Sequence, residues 1–144
     1  MKVYLASPFF KDEERENVKR AAEILREKHF DVYVPMEHKI DDAWSYPNHE
    51  WGRLVFETDI NAINASDVFV CLSYGRESSA GTNFECGYAY CLGVPVILVV
   101  MPGVDLMSLM VANGRHATVM GLDGLREYDF RNMPELIDTV TEQK

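Results

Sequence analysis

The stretch 67–100, "DVFVCLSYGRESSAGTNFECGYAYCLGVPVILVV", holds a strand, a loop, a helix and a second strand in succession. "DVFVCL", Asp67 to Leu72, is a near-continuous apolar run, the pattern of a parallel strand covered on both faces. "SYGRESSA" is a loop, and a helix follows over about Gly81 to Leu92, with Gly93 as the residue after its last turn. "VPVILVV" then reads as another buried strand. Within this otherwise small and apolar helix sits one acid, Glu85. A buried, unpartnered carboxylate costs several kcal/mol, so Glu85 either faces solvent or serves chemistry.

The same alternation continues on both sides. Residues 2–6, "KVYLA", form a first strand, and Pro8 turns the chain after it. From Asp12 to about Lys28 the apolar set Val18, Ala21, Ala22 and Leu25 recurs with helical spacing. "DVYVP", 31–35, is the second strand. The segment 36–50 carries Pro47 and no firm period, so it reads as a long loop. A helix with Trp51, Leu54, Val55, Ala62 and Ile63 on one side covers 51–65, and Asp59 lies on it. Beyond residue 100 the expected elements are a short helix near 105–111, a weak strand at 118–120 and a last helix over 133–141. Strands and helices in alternation define an α/β fold. The expectation is a doubly wound, flavodoxin/Rossmann-like, mainly parallel sheet of about five strands with helices on both faces. Ligands of such sheets bind beyond the carboxyl ends of the strands.

Composition narrows the partners. The chain has 144 residues, of which 47% are hydrophobic and 26% charged, so one soluble domain spanning 1–144 is expected. A formal net charge of -9 repels phosphate backbones and anionic membranes. A nucleic-acid polymer and a membrane are therefore excluded as partners, and a small molecule is favoured. No stretch approaches a membrane span and the N-terminal apolar run is too short for a signal segment, which points to the cytoplasm. Cys71, Cys86 and Cys91 lack metal-binding spacing and read as reduced thiols, while the four histidines show no HxxxH pattern. No metal and no cofactor are expected. Neither GxGxxG nor a Walker A stretch is present, and the third strand ends without the aspartate of a receiver domain.

The candidate chemical groups keep two readings each at this stage. Glu85, near the helix start, is expected to be held ionised by the helix dipole as a nucleophile or base, or is ordinary capping electrostatics. Asp59 is a second acid for chemistry at an anomeric carbon, or a solvated helix-face residue. Tyr4 is a core tyrosine or one whose hydroxyl orients a carboxylate. Phe9 and Phe10 stack on a flat ring or pack in the core.

Four pieces in order, "VYLASPFF", "ETDINAINASDVFV", "GTNFECGYAYCLGVPVILVV" and "DLMSLM", resemble the nucleoside 2-deoxyribosyltransferases from Val3 to Met110. The Gly-Thr-x-x-Glu-x-Gly element is the most specific of them. The resemblance implies cofactor-free exchange of the base on a 2′-deoxynucleoside through a covalent deoxyribosyl-enzyme ester, with nucleosides and free nucleobases as partners. It gives Glu85 as nucleophile, Tyr4 as the tyrosine holding it and Asp59 as the acid that contacts and protonates the base. Phe9 and Phe10 line the base pocket, and the loop from Ser7 to Phe10 excludes water. The resemblance also implies a homo-oligomer, from dimer to hexamer, in which Asp105 and Met107 complete a neighbour's site.

Departures from the common pattern fall at the substrate. Ser79 stands where the family has Asp, Asp105 where it has Asn, and His38-Lys39 where it has Asn-Gln, so Lys39 takes the place of a residue that reads the base. Ser79, followed by Gly81, resembles the phosphate-binding serine of related deoxynucleoside 5′-monophosphate glycosidases, which hydrolyse the same bond. "GTNFE" is also similar to the end of the cytokinin-releasing phosphoribohydrolases, but Ser79-Ala80 replaces their paired glycines. Hydrolysis is therefore the alternative to transfer, and a nucleoside- or nucleotide-binding module without turnover is the third reading.

Overall fold

The computed structural model describes residues 1–136. Its strands are β1 (Lys2–Ala6), β2 (Asp31–Tyr33), β3 (Val68–Ser73), β4 (Val96–Val100) and β5 (Ala117–Met120). Its helices are α1 (Asp12–Glu27), α2 (Asn48–Asn64), α3 (Ala80–Cys91), α4 (Leu109–Asn113) and α5 (Gly121–Glu127). The strands form one sheet in the order β2-β1-β3-β4-β5, with every pair parallel. The chain winds outward from β1 to β2, then crosses back to β3 on the other side. Right-handed crossovers then place α1 on one face and α2, α3 and α4 on the other.

Side-chain alternation along the strands splits the core accordingly. Val3, Leu5, Val32, Val70 and Leu72 point to the face covered by Val18, Ala21, Leu25 of α1 and Leu125 of α5. Tyr4, Ala6, Phe69, Cys71 and Leu98 point to the opposite face, against Ile63 of α2, Cys86 and Ala89 of α3 and Ala112 of α4. The α1 stripe read from sequence is the buried one. By contrast α2 is anchored lightly, with Ile63 its one fully buried residue and Trp51 exposed.

Several boundaries differ from the sequence reading, each for a local reason. β2 stops at Tyr33 because Pro35 opens a 3-10 turn, Pro35–Glu37. α2 begins at Asn48, with Pro47 at its N-cap, because its first turn is polar and carries no apolar signal. The short helix near 105–111 falls at Leu109–Asn113. A helix at 121–127, "GLDGLRE", was not expected from the sequence. Gly121 enters it at a φ of +62°, and a Cβ on Gly124 would lie 3.1 Å from Val119 Cβ, so close packing on β5 selects glycine there. Residues 133–136 are not helical, and the remainder of the expected last helix lies outside the described residues.

Candidate active site

The site grows from the middle of β1. Tyr4 is in direct register with Tyr33 on β2 and with Phe69 on β3, and its ring stacks on both at 5.3 Å between centroids. Three aromatic rings thus tile one face of the sheet beneath α2 and α3. The outermost, Tyr33, is capped by the imidazole of His38, stacked at 4.1 Å and 8°. Each tyrosine ends on a carboxylate. Tyr4 Oη donates to Glu85 Oε1 at 3.1 Å, and Tyr33 Oη donates to Asp59 Oδ1 at 2.9 Å.

Glu85 reaches Tyr4 because of its place on α3. Thr82, Cys86 and Ala89 are the buried residues of that helix, and position 85 lies three after the first and four before the last, on the same stripe. The carboxylate is therefore carried inward. Burial pushes its pKa up to about 7, the negative charge of Asp59 adds to the rise, and the Tyr4 hydrogen bond opposes it. The residue lies beyond the first turn, so desolvation opposes whatever help the helix dipole gives to its charge. Asp59, half-buried on α2, is also raised by burial, against the opposing Tyr33 hydrogen bond and the charge of His38. Both tyrosines, buried and next to these carboxylates, are held well above the ordinary phenol range, so they act as donors.

The loop after β1 is fixed from α1. Glu14 is buried at the third helical position and accepts from Phe10 N at 2.8 Å and Lys11 N at 3.0 Å. Arg15 donates to the carbonyls of Phe9 and Phe10. Phe9 and Phe10 stack on each other at 5.9 Å, and Phe10 is exposed. Ser7 is buried and its hydroxyl donates to Pro8 O at 2.7 Å. Ser79 is the N-cap of α3, where Oγ accepts from Thr82 N and hydrogen-bonds Thr82 Oγ1. A Cβ on Gly81 would meet nothing nearer than Ser79 Oγ at 4.0 Å, so the helix start is uncovered.

Lys39 is exposed in the loop after β2, and Asp105 is exposed between β4 and α4. Met107 is placed in this chain's own core, in the cluster that contains Tyr4, and not on a surface offered to a neighbour. Gly75 pins the segment before it: at φ +65° its Cα lies so close that a Cβ would sit 2.5 Å from Leu106 O. Sequence reasoning missed Tyr33, and marked His38 only as a departure from the family pattern and not as the ring stacked on Tyr33. The available signal was Tyr33 itself, which alternates with the core residues Val32 and Val34 and so faces the same side as Tyr4. Among the described residues no group of three or more His, Cys, Asp or Glu is placed to hold a metal ion. Among them no helix is long and apolar enough to cross a membrane.

The site is thus a pair of carboxylates, each bound by a tyrosine of β1 or β2, on one face of a parallel α/β sheet. The chain belongs to the nucleoside 2-deoxyribosyltransferase family, whose model matches residues 3–124. This is an enzyme family of the deoxyribosyltransferase and N-glycosidase type. A solved 2-deoxyribosyltransferase from Bacillus psychrosaccharolyticus superposes with a TM-score of 0.83 at 29% identity, covering 96% of this chain and 100% of the other. The nucleoside deoxyribosyltransferase of Lactobacillus leichmannii is 24% identical over 143 residues, which are 89% of this chain and 88% of that one. A Thermofilum pendens protein named "Putative 2'-deoxynucleoside 5'-phosphate N-hydrolase 1" is 36% identical over 114 residues, 77% of this chain and 76% of that one.

Proposed function

We propose that the protein exchanges the base of 2′-deoxyribonucleosides through a deoxyribosyl ester on Glu85. The observation that carries this reading is the pair of carboxylates on facing helices, each held by a tyrosine hydroxyl. In the first step the C1′–N bond breaks, its electron pair leaves with the base, and the Asp59 carboxyl gives that base a proton. Glu85 Oε stabilises the positive charge developing at C1′ and then bonds to it. In the second step a nitrogen of an incoming base attacks C1′, the ester bond breaks back to the carboxylate, and Asp59 takes up the proton released. Phe9 and Phe10 line the base side and restrict water during the ester's lifetime.

The reading is tested by incubating purified protein with 2′-deoxyinosine, 2′-deoxycytidine or thymidine, with and without excess adenine, and resolving products by chromatography. Formation of 2′-deoxyadenosine is expected, and Glu85→Ala abolishes it while the fold persists. Turnover unchanged in Glu85→Ala would sink the mechanism.

Hydrolysis of 2′-deoxynucleoside 5′-monophosphates is the second reading, favoured by Ser79 at the open N-terminus of α3 and by the 36%-identical relative. Base release that is independent of adenine and confined to the monophosphates would establish it. Under either reading we propose that a second copy of the chain covers α2 and α3. Trp51, Phe56, Phe84 and Tyr90 are exposed there, with Phe56 and Phe84 rings 6.1 Å apart. Sedimentation as a monomer at micromolar concentration would overturn that part.

A further inference from the structure

We infer that Tyr33 is a positioning residue that sets, in opposition to Tyr4, which of Glu85 and Asp59 carries the proton they share. The two tyrosines are register partners on adjacent parallel strands, their rings are stacked at 5.3 Å, and their hydroxyls end on different carboxylates. Each hydroxyl has one proton to donate, and a donated hydrogen bond favours the ionised form of its acceptor. Tyr4 therefore favours ionised Glu85 with the proton on Asp59. Tyr33 favours the reverse arrangement.

This inference rests on the proposed roles of Glu85 as nucleophile and Asp59 as proton donor. Those roles require Glu85 ionised and Asp59 protonated, the arrangement that Tyr33 disfavours in the resting site. The stacked, register-paired rings bring the acids on their hydroxyls to one side of the sheet, and the charge of Asp59 acts on Glu85, so gaining or losing a proton at one acid changes the balance at the other. The groups facing the pair are Tyr4 from β1, Tyr33 from β2, His38 from the loop after β2, Cys71 from β3 and Cys86 from α3. The Cys71 thiol is held well above its ordinary range by its contact with Cys86 and by burial, so it stays neutral. His38, stacked on that ring, acts with Tyr33: its charge lowers the Asp59 carboxyl.

The test uses the resting protein, labelled with 13C at the Glu and Asp side-chain carboxyl carbons and assigned with Glu85→Gln and Asp59→Asn. Each carboxyl is titrated by NMR in the parent, in Tyr33→Phe and in Tyr4→Phe. Tyr33→Phe is expected to move the proton toward Asp59, changing the ratio of the two arrangements by about tenfold or more, the scale of a hydrogen bond to a charged group. Tyr4→Phe is expected to move it toward Glu85. Unchanged titration of both carboxyls in Tyr33→Phe, or redistribution in the same direction in both variants, overturns the inference. Should Tyr33→Phe fail to fold, His38→Ala is expected to shift the proton in the same direction as Tyr33→Phe, and no shift there is equally fatal. Because the readout needs no turnover, an inactive protein with the expected redistribution would refute the proposed function and leave this inference standing.

Discussion

Replacing Glu85 by Gln is expected to make the protein more stable in alkaline solution and no more stable in acid. The folded carboxyl has a pKa of about 7 against an ordinary value of 4.5. The folded state thus holds the proton more tightly than the unfolded one, and it carries the extra proton between pH 4.5 and about 7. Stability therefore falls as pH rises through that window, and the whole cost is present above it. At 1.36 kcal/mol per pKa unit the cost is about 3 kcal/mol. Glutamine keeps an oxygen for the Tyr4 hydroxyl and carries no charge to desolvate or to meet Asp59. Urea unfolding at a fixed protein concentration, at pH 8 and at pH 4, measures the difference. The variant should gain about 3 kcal/mol over the parent at pH 8 and close to nothing at pH 4. A variant as stable as the parent at pH 8, or one stabilised equally at both values, would show that burial does not penalise the charge of Glu85.

Three further outcomes follow from particular contacts. Gly75→Ala forces a side chain at φ +65° against Leu106 O, and a loss of at least about 2 kcal/mol is expected by thermal melting. Ser79→Ala removes the cap of α3, for a loss of about 1 kcal/mol, and if monophosphates are substrates it should raise their KM well beyond that of the nucleosides. Glu14→Ala frees the backbone of Phe10 and Lys11, so steady-state kinetics should show a raised KM with a smaller change in kcat, and Glu14→Gln should restore part of it.

The winding of the sheet was legible because buried parallel strands leave continuous apolar runs, as in "DVFVCL" and "VPVILVV", and because α1 shows its stripe plainly. Elements built on close approach were not. α5 depends on Gly124 lying against Val119, a contact between side chain and backbone that no period encodes. At the site, Glu85, Tyr4 and Asp59 could be named from sequence, but their pairing with different tyrosines could not. That pairing arises from the register of β1 against β2, which places Tyr33 beside Tyr4. The upward pull on the Glu85 pKa was not legible for a related reason: the dipole is a property of one helix, whereas the desolvation comes from the sheet beneath it.

The burial of Glu85 acts on more than protons. Whatever bonds to its oxygen and cancels the charge relieves the same desolvation and the same repulsion from Asp59. A deoxyribosyl ester is such a group, and so is a mechanism-based electrophile with a slow second step. On the proposed mechanism the site is thus thermodynamically biased toward its glycosylated form, and a sugar analogue that traps Glu85 should raise the melting temperature as well as stop turnover, making thermal shift a direct screen for covalent inhibitors.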